Sequence, residues 1–329
     1  MLEASVALDA AQIAETVAAI AAVQAADGAI PEFPGGVTNP WNHVEAAMAL
    51  DVGGFHEQAV NAYRWSRRNQ RDDGSWSGGY LGAEVVDHTR DANFSAYVAF
   101  GVWHHFKMTA DRSFLEEMWP TVESAVRFTL GLQRSDGAIR WARNKHGRGA
   151  STALLTSCCC IAMSLRSALE IARVLGEHRR DWERALGTLQ AALRTGDHPF
   201  EPKPSFSMDW YYPVIARVLT VDSARVRLQA RWDDFVVSGL GARCVVDRPW
   251  ATSGETAELA IALQVAGMDT EARLMLAWVQ HLRDDDGAYW IGATFPDGTV
   301  WPRQKPTWGS GSVVLAADVL VGGVTASCF

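Results

Sequence analysis

The stretch DANFSAYVAFGVWHHFKMTADRSFLEEMWPTVESAVRFTLGLQRSDG, residues 91–137, decides the fold. Its first part, 91–107, is apolar nearly all round, whereas 112–133 carries Arg and Glu on one face only. A helix apolar on every side must be buried, and one with a single apolar stripe lies at the surface. The stretch therefore reads as an inner helix followed by an outer helix. It closes on Gln133-Arg-Ser-Asp136-Gly137, where Gly supplies the left-handed residue that ends a helix and Asp tolerates a tight turn.

The same alternation runs along the whole chain. One-sided segments cover roughly 8–25, 55–70, 112–133, 178–194, 221–236 and 269–283. All-round apolar segments cover roughly 41–52, 91–107, 150–175, 209–219, 252–266 and 308–321. Counted from 41, 91, 151, 209, 252 and 308, the inner segments start 50, 60, 58, 43 and 56 residues apart, which is the period of a repeat architecture. Six hairpins closing on themselves predict an all-α protein, an (α/α)6 barrel spanning residues 1–329 as a single domain. The turn phrase recurs at Gln24–Gly28 and Gln70–Gly74, with a weaker copy at Arg283–Gly287. RCVVD (243–247) and AYWIGATF (288–295) are the credible strands, expected as one short hairpin with Asp297-Gly298 as a turn.

Composition narrows the function. Hydrophobic residues at 48 % and charged residues at 21 % belong to a folded globular chain. A net charge of −8 without a basic run argues against a nucleic-acid partner. Cys158, Cys159, Cys160, Cys244 and Cys328 make an odd set without a CxxC, so neither a disulfide framework nor a zinc-thiolate site is expected. The opening residues lack a basic region followed by an apolar one, and no apolar run reaches about 18 residues. A soluble, cytoplasmic protein is expected, with no membrane insertion. Its oligomeric state is not set by the sequence.

If the inner helices are parallel, their N-termini open on one face and aim partial positive charge at it. The residues there are Asn39–Glu45, Asp87–Asn93, Arg148–Ser151, Ser207–Tyr212, Trp250–Glu255 and Pro306–Ser310. Capping explains Asp91, Asp209 and Ser253 taken singly. It does not explain the accompanying Trp, Tyr and Asn, nor Glu45 and Glu255 slightly deeper in the helices. A funnel of aromatics, amides and carboxylates suits a sugar: rings stack on pyranoses, amides and Arg bind hydroxyls, and paired carboxylates cleave glycosidic bonds. The expected binding residues are Trp41, Asn42, His43, Trp76, Tyr80, Asn93, Tyr97, Arg148, Trp210, Tyr211, Trp250, Trp290 and Trp308. Aromatics on several connections, Trp301 among them, point to a polysaccharide or oligosaccharide lying in a cleft and cut internally.

For the catalytic pair, Glu255 and Asp209 stand first, with Glu45 and Asp91 next. Glu255 begins a helix that continues as LAIAL, so its carboxyl is partly desolvated, as suits a general acid. Asp209 lies at the equivalent point of the preceding inner helix, where a helix N-terminus favours the charged form of a base. Carboxyls on neighbouring helices roughly 8–10 Å apart reach the roughly 6.5–9.5 Å separation of inverting enzymes. There is no HExxH, no GxSxG and no phosphate loop, so no metal and no cofactor are expected. His104 and His105 read as core residues.

Over residues 41–141 the chain resembles the six-hairpin glycosidases, notably the glucoamylase-type hydrolases. In those, an inner helix leads through a "tGDrsFLee-WP-V" connection to the next outer helix and a Q-x-x-D-G turn. The resemblance implies an inverting hydrolase with two acidic residues at the barrel mouth. The family's catalytic phrases have no counterpart here, so its residues are not carried over. As an Ala- and Arg-rich chain without an N-terminal β domain, it is also similar to the actinobacterial endomannosidases that trim methylated mannose polysaccharides. Two other readings stay open. Gln70-Arg-Asp-Asp-Gly74-Ser-Trp76 matches the Q-x-x-x-G-x-W repeat of terpenoid cyclases, whose toroid prenyltransferases share. A non-catalytic glycan-binding protein fits the same mouth.

Overall fold

A computed structural model describes residues 8–196 and 199–329 of the chain. The opening residues read above for a leader lie mostly outside this range. The inner helices are α2 (Pro40–Val52), α4 (Ala92–Thr109), α6 (Leu155–Leu175), α8 (Ser207–Ile215), α11 (Ser253–Val265) and α13 (Thr307–Leu320). Each packs on the next, and α13 packs back on α2, so the ring is closed. Outside it lie α1 (Ala10–Val23), α3 (His56–Asn69), α5 (Arg112–Leu130), α7 (Arg180–Arg194), α9 (Val221–Ala230) with the short α10 (Trp232–Phe235), and α12 (Asp269–Trp278). This is the (α/α)6 barrel that the alternation predicted.

Local chemistry sets the helix ends. Asn39 accepts hydrogen bonds from the Trp41 and Asn42 amides, and Pro40 takes the first position of α2, where its missing N–H is harmless. Asp91 caps α4 through the Asn93 and Phe94 amides, and Asp111 caps α5 through Ser113 and Phe114.

The Gln-x-x-Asp-Gly turns are rivets between outer helices. Gln70 donates through Nε2 to the Gly74 carbonyl of its own turn and to the Thr121 carbonyl on α5. Gln24 does the same to Gly28 and to Gln58 on α3, and Gln133 to Gly137 and to Ala185 on α7. Gly74 has φ +87°, and a Cβ there would lie 2.0 Å from the Ser124 carbonyl oxygen, so only glycine lets the turn dock. In the weaker copy Gly287 docks on α1, where the Thr16 hydroxyl donates to its carbonyl and Arg283 pairs with Glu15. This turn ties the last outer hairpin back to the first.

The extended segments all lie in outer-to-inner connections or beside them. Two are hairpin-sized: β1 (Gly79–Leu81) with β2 (Glu84–Asp87), and β3 (Arg90–Asp91) with β4 (Ala142–Arg143). A four-stranded antiparallel sheet follows the order β5 (Val236–Val237), β6 (Gly241–Arg243), β7 (Trp250–Thr252), β8 (Gly292–Thr294). The hairpin expected between RCVVD and AYWIGATF is therefore corrected. Trp250–Thr252 intervenes and pairs with both. Three residues ahead of a helix carry too little pattern to be read as a strand.

Candidate active site

The inner helices are in register. The sixth residues of α2, α4, α6, α8, α11 and α13 are Glu45, Tyr97, Cys160, Tyr212, Glu258 and Ser312. They meet in one polar layer. Tyr97 Oη donates to Glu45 Oε2 at 2.6 Å, and Ser312 Oγ donates to Glu45 Oε1 at 3.2 Å. Tyr212 Oη donates to Glu258 Oε1 at 2.5 Å, Tyr211 donates to the other oxygen, and the Cys160 thiol lies within hydrogen-bonding reach of Tyr212. Three residues further along, Met48, Phe100, Met163, Ile215, Ile261 and Leu315 are all apolar and buried. The polar layer thus rests on an apolar floor.

Two carboxyls in this layer keep their protons near neutrality. Burial pushes Glu45 up to about 7, against the opposing pull of the Tyr97 and Ser312 hydroxyls. Burial pushes Glu258 up to about 8; Tyr211 and Tyr212 pull it down, and the charges of Glu45 and Glu255 push it further up. Glu255 lies one turn nearer the mouth on α11, 7 % exposed, with Thr252 Oγ1 donating to its Oε2 at 2.5 Å. Glu258 escaped the sequence reading, although its place three residues after Glu255 puts both on adjacent turns of one helix.

Above Glu45 and Tyr97, one turn toward the mouth, stand Trp41 and Asn93. Trp41 stacks on Tyr97 with ring centroids 4.8 Å apart. Trp41 Nε1 and Asn93 Oδ1 are buried without a hydrogen-bond partner, a donor and an acceptor left over at the rim. Asn42 donates to the Glu32 carboxyl at 2.7 Å, and burial raises that carboxyl's pKa; Glu32 is a further mouth acid missed in the sequence. Trp308 lies over Gly254, so close that a Cβ there would be 2.1 Å from the indole. Trp250 donates to the Trp301 carbonyl and meets that exposed ring edge-on. Trp290 is flanked by Arg303 and Lys305, each 5.0 Å from its ring. Arg148 is exposed in the connection ahead of α6.

Other expected residues are placed elsewhere. His43 is wholly buried: its Nδ1 accepts from the Ile30 amide, and its Nε2 faces the Ala62 carbonyl at 2.9 Å. Burial lowers its pKa to about 4, so it is a neutral tether between the α1–α2 connection and α3. Trp210 donates to the Arg227 carbonyl and stacks on Phe235. His43 and Trp210 are each the fourth residue of an inner helix, two positions or 200° from the sixth, and so point at the outer ring. Trp76 donates to the Ser66 carbonyl, Tyr80 accepts from the Ser77 amide, and both rings are core. These four are corrected from binding residues to framework.

Asp91 spends its carboxylate on capping, yet burial pushes it up to about 7. Asp209 accepts from Thr156 on α6 at 2.6 Å, on the flank of α8 turned away from α11. It borders a cavity of about 700 Å³ between the α7–α8 connection and α9, lined also by Phe200, Lys203, Trp210, Arg227 and Arg231. The structure brings Glu255 together with Glu258 and Tyr211.

A closed six-hairpin barrel with buried carboxyls under an aromatic rim has the architecture of the six-hairpin glycosidases. Solved structures agree on the fold. A wild-type glycosidase superposes with a TM-score of 0.76 at 14 % identity, covering 95 % of this chain and 98 % of its own. A GH63 mannosylglycerate hydrolase from Thermus thermophilus gives 0.74 at 12 %, covering 93 % and 99 %. A D-mannose isomerase gives 0.71 at 12 %, covering 93 % and 96 %, so the fold alone does not select hydrolysis. No protein-family model matches the chain. The MMP endo-(1,4)-3-O-methyl-alpha-D-mannosidase of Mycolicibacterium hassiacum is 47 % identical over 309 residues, covering 94 % of this chain and 86 % of the relative. The chain belongs to that endomannosidase family. The cyclase, prenyltransferase and non-catalytic readings are set aside by this kinship. Among the described residues no helix is long and apolar enough to cross a membrane.

Proposed function

We propose that the chain cleaves internal α-1,4 bonds of a 3-O-methylmannose polysaccharide with inversion, residues 1–329 acting as one catalytic domain on a cytoplasmic glycan. The observation that carries this reading is Glu45. It is a buried carboxyl kept protonated near neutral pH, beneath a stacked Trp41 and two unpaired polar atoms fit for sugar hydroxyls. It acts as general acid on the glycosidic oxygen. Glu255 acts as base: the Thr252 hydroxyl donates to its Oε2 and orients the carboxyl for a proton taken from water.

The spacing supports the pair. Helices α2 and α11 are both neighbours of α13. With neighbouring axes roughly 9 Å apart they stand roughly 15 Å apart, and two glutamates reaching inward roughly 4 Å each leave the roughly 6.5–9.5 Å of an inverting site. Asp209 and Asp91 become a rim hydrogen-bond acceptor and a cap. The apolar floor supports internal cleavage, since a polymer can only lie across the mouth. The relative, named for endo action on a methylated mannan, supplies the substrate class.

Incubation with 3-O-methylmannose polysaccharide, followed by product sizing and proton NMR within the first turnovers, tests the proposal. Oligosaccharides carrying new β-hemiacetal ends are expected, with loss of activity in Glu255→Ala. Monosaccharide alone as product, or α-hemiacetal ends, would overturn it.

A further inference from the structure

We propose that Asp51, His56 and His105 bind one divalent transition-metal ion, of the zinc class, at the end of the barrel opposite the mouth. Three helices bring these residues together: Asp51 lies in the last turn of α2, His56 opens α3, and His105 lies near the end of α4. The Nδ1 atoms of His56 and His105 stand 3.0 and 2.8 Å from Asp51 Oδ1, and all three ligand atoms lie within 4.8 Å of one another. Two imidazole nitrogens and one carboxylate oxygen are a donor set that zinc and its neighbours favour.

The charge arrangement asks for a cation. Asp51 is wholly buried, and its ion-pair partners among the described residues are these two histidines, with no Lys or Arg. A buried carboxylate is costly unless paired with positive charge. A divalent ion between the three atoms supplies it. Ligand atoms on a tetrahedral zinc sit roughly 3.3 Å apart, so separations that now run from 2.8 Å up to 4.8 Å need only a small step to match. His56 can make that step, because its side chain is 43 % exposed. A cavity of about 400 Å³, bordered by His56 and His105 together with Asn61 and Thr109, gives an ion a way in from solvent. Arg64 lines the same cavity, but its guanidinium is engaged bidentately by Glu117. Asp51 lies six residues beyond Glu45 along α2, roughly 9 Å, so the ion clasps three helix ends and takes no part in glycoside chemistry.

The full chain, stripped with a chelator and dialysed, is titrated with Zn²⁺ by calorimetry and with Co²⁺ by visible absorption. One ion per chain is expected, with the intense visible bands of four-coordinate cobalt and a rise in Tm on zinc addition. His56→Ala, at the exposed edge of the cluster, should weaken binding by more than about tenfold and abolish the zinc-dependent rise in Tm. The metal-free Tm should fall only by the loss of one hydrogen bond to Asp51, which His105 still holds. His146→Ala, a loop histidine on the other end of the barrel, should alter none of these. Failure to bind zinc overturns the proposal and leaves a plain His–Asp–His hydrogen-bond network. So does binding that survives His56→Ala, which would belong to adventitious surface groups.

Discussion

Glu45→Gln should make the protein more stable and nearly inactive at the same time, with the gain appearing only as pH rises. In the folded chain Glu45 keeps its proton up to about 7, whereas an unfolded glutamate loses it near 4.5. Between those values the folded state binds more protons, so its stability falls as pH rises and the loss is complete above about 7. A difference of 2.5 pH units corresponds to about 3 kcal/mol. Gln removes that penalty, and its amide satisfies both neighbours, since the Tyr97 and Ser312 hydroxyls each donate or accept. A chain of 329 residues unfolds with an entropy of roughly 0.7 kcal/mol/K, so the gain is roughly 4 °C in Tm at pH 8.5 and close to zero at pH 4.5. Turnover should drop by about 10²–10⁴, the usual contribution of a positioned acid. The assay is thermal unfolding of wild type and variant from pH 4.5 to 8.5, beside hydrolysis rates. Glu258 adds a second loss of the same sign up to about 8, slightly smaller in the variant because the Glu45 charge that raises it is gone. Parallel Tm–pH curves for the two proteins would refute a proton held on Glu45.

Two further outcomes follow from the same geometry. Tyr97→Phe removes a hydrogen bond that lowers the Glu45 pKa, so the alkaline limb of the pH–rate profile should move upward, and a downward move would contradict the acid role. Gly254→Ala drives a methyl group into the Trp308 ring at the start of α11, and should destabilise by about 1–3 kcal/mol while raising KM; circular dichroism melts and initial rates check both, and an unaffected KM would remove Trp308 from the binding wall.

The barrel was legible because its signals are local. Each inner or outer assignment needs one helix's own periodicity, and each Gln-x-x-Asp-Gly turn carries its donors within five residues. The site was legible only by region. Whether a residue faces the bore depends on its count from the helix start, and an error of two positions turns the side chain to the far side. His43 and Trp210 fall at that count, while Tyr97 and Glu45 fall on the inward one. Glu258 was hidden by the apolar residues around it. Trp76 and Tyr80 have the composition of sugar-stacking residues, and only their spent polar atoms place them in the core. Asp51, His56 and His105 lie five and 49 residues apart, a spacing that no metal motif marks.

The closure of the ring sets an order of events during synthesis. Ser312, which holds one oxygen of Glu45, lies 267 residues further along the chain, and Thr307 reaches back to the Pro31 carbonyl across 276. Until the sixth hairpin has left the ribosome, α2 lacks a wall and its apolar flank faces water, a state that slows folding and invites association. The nascent chain therefore carries its first acidic group early but completes that group's surroundings last. A product truncated anywhere before the final helix is left with an open side and a solvated Glu45.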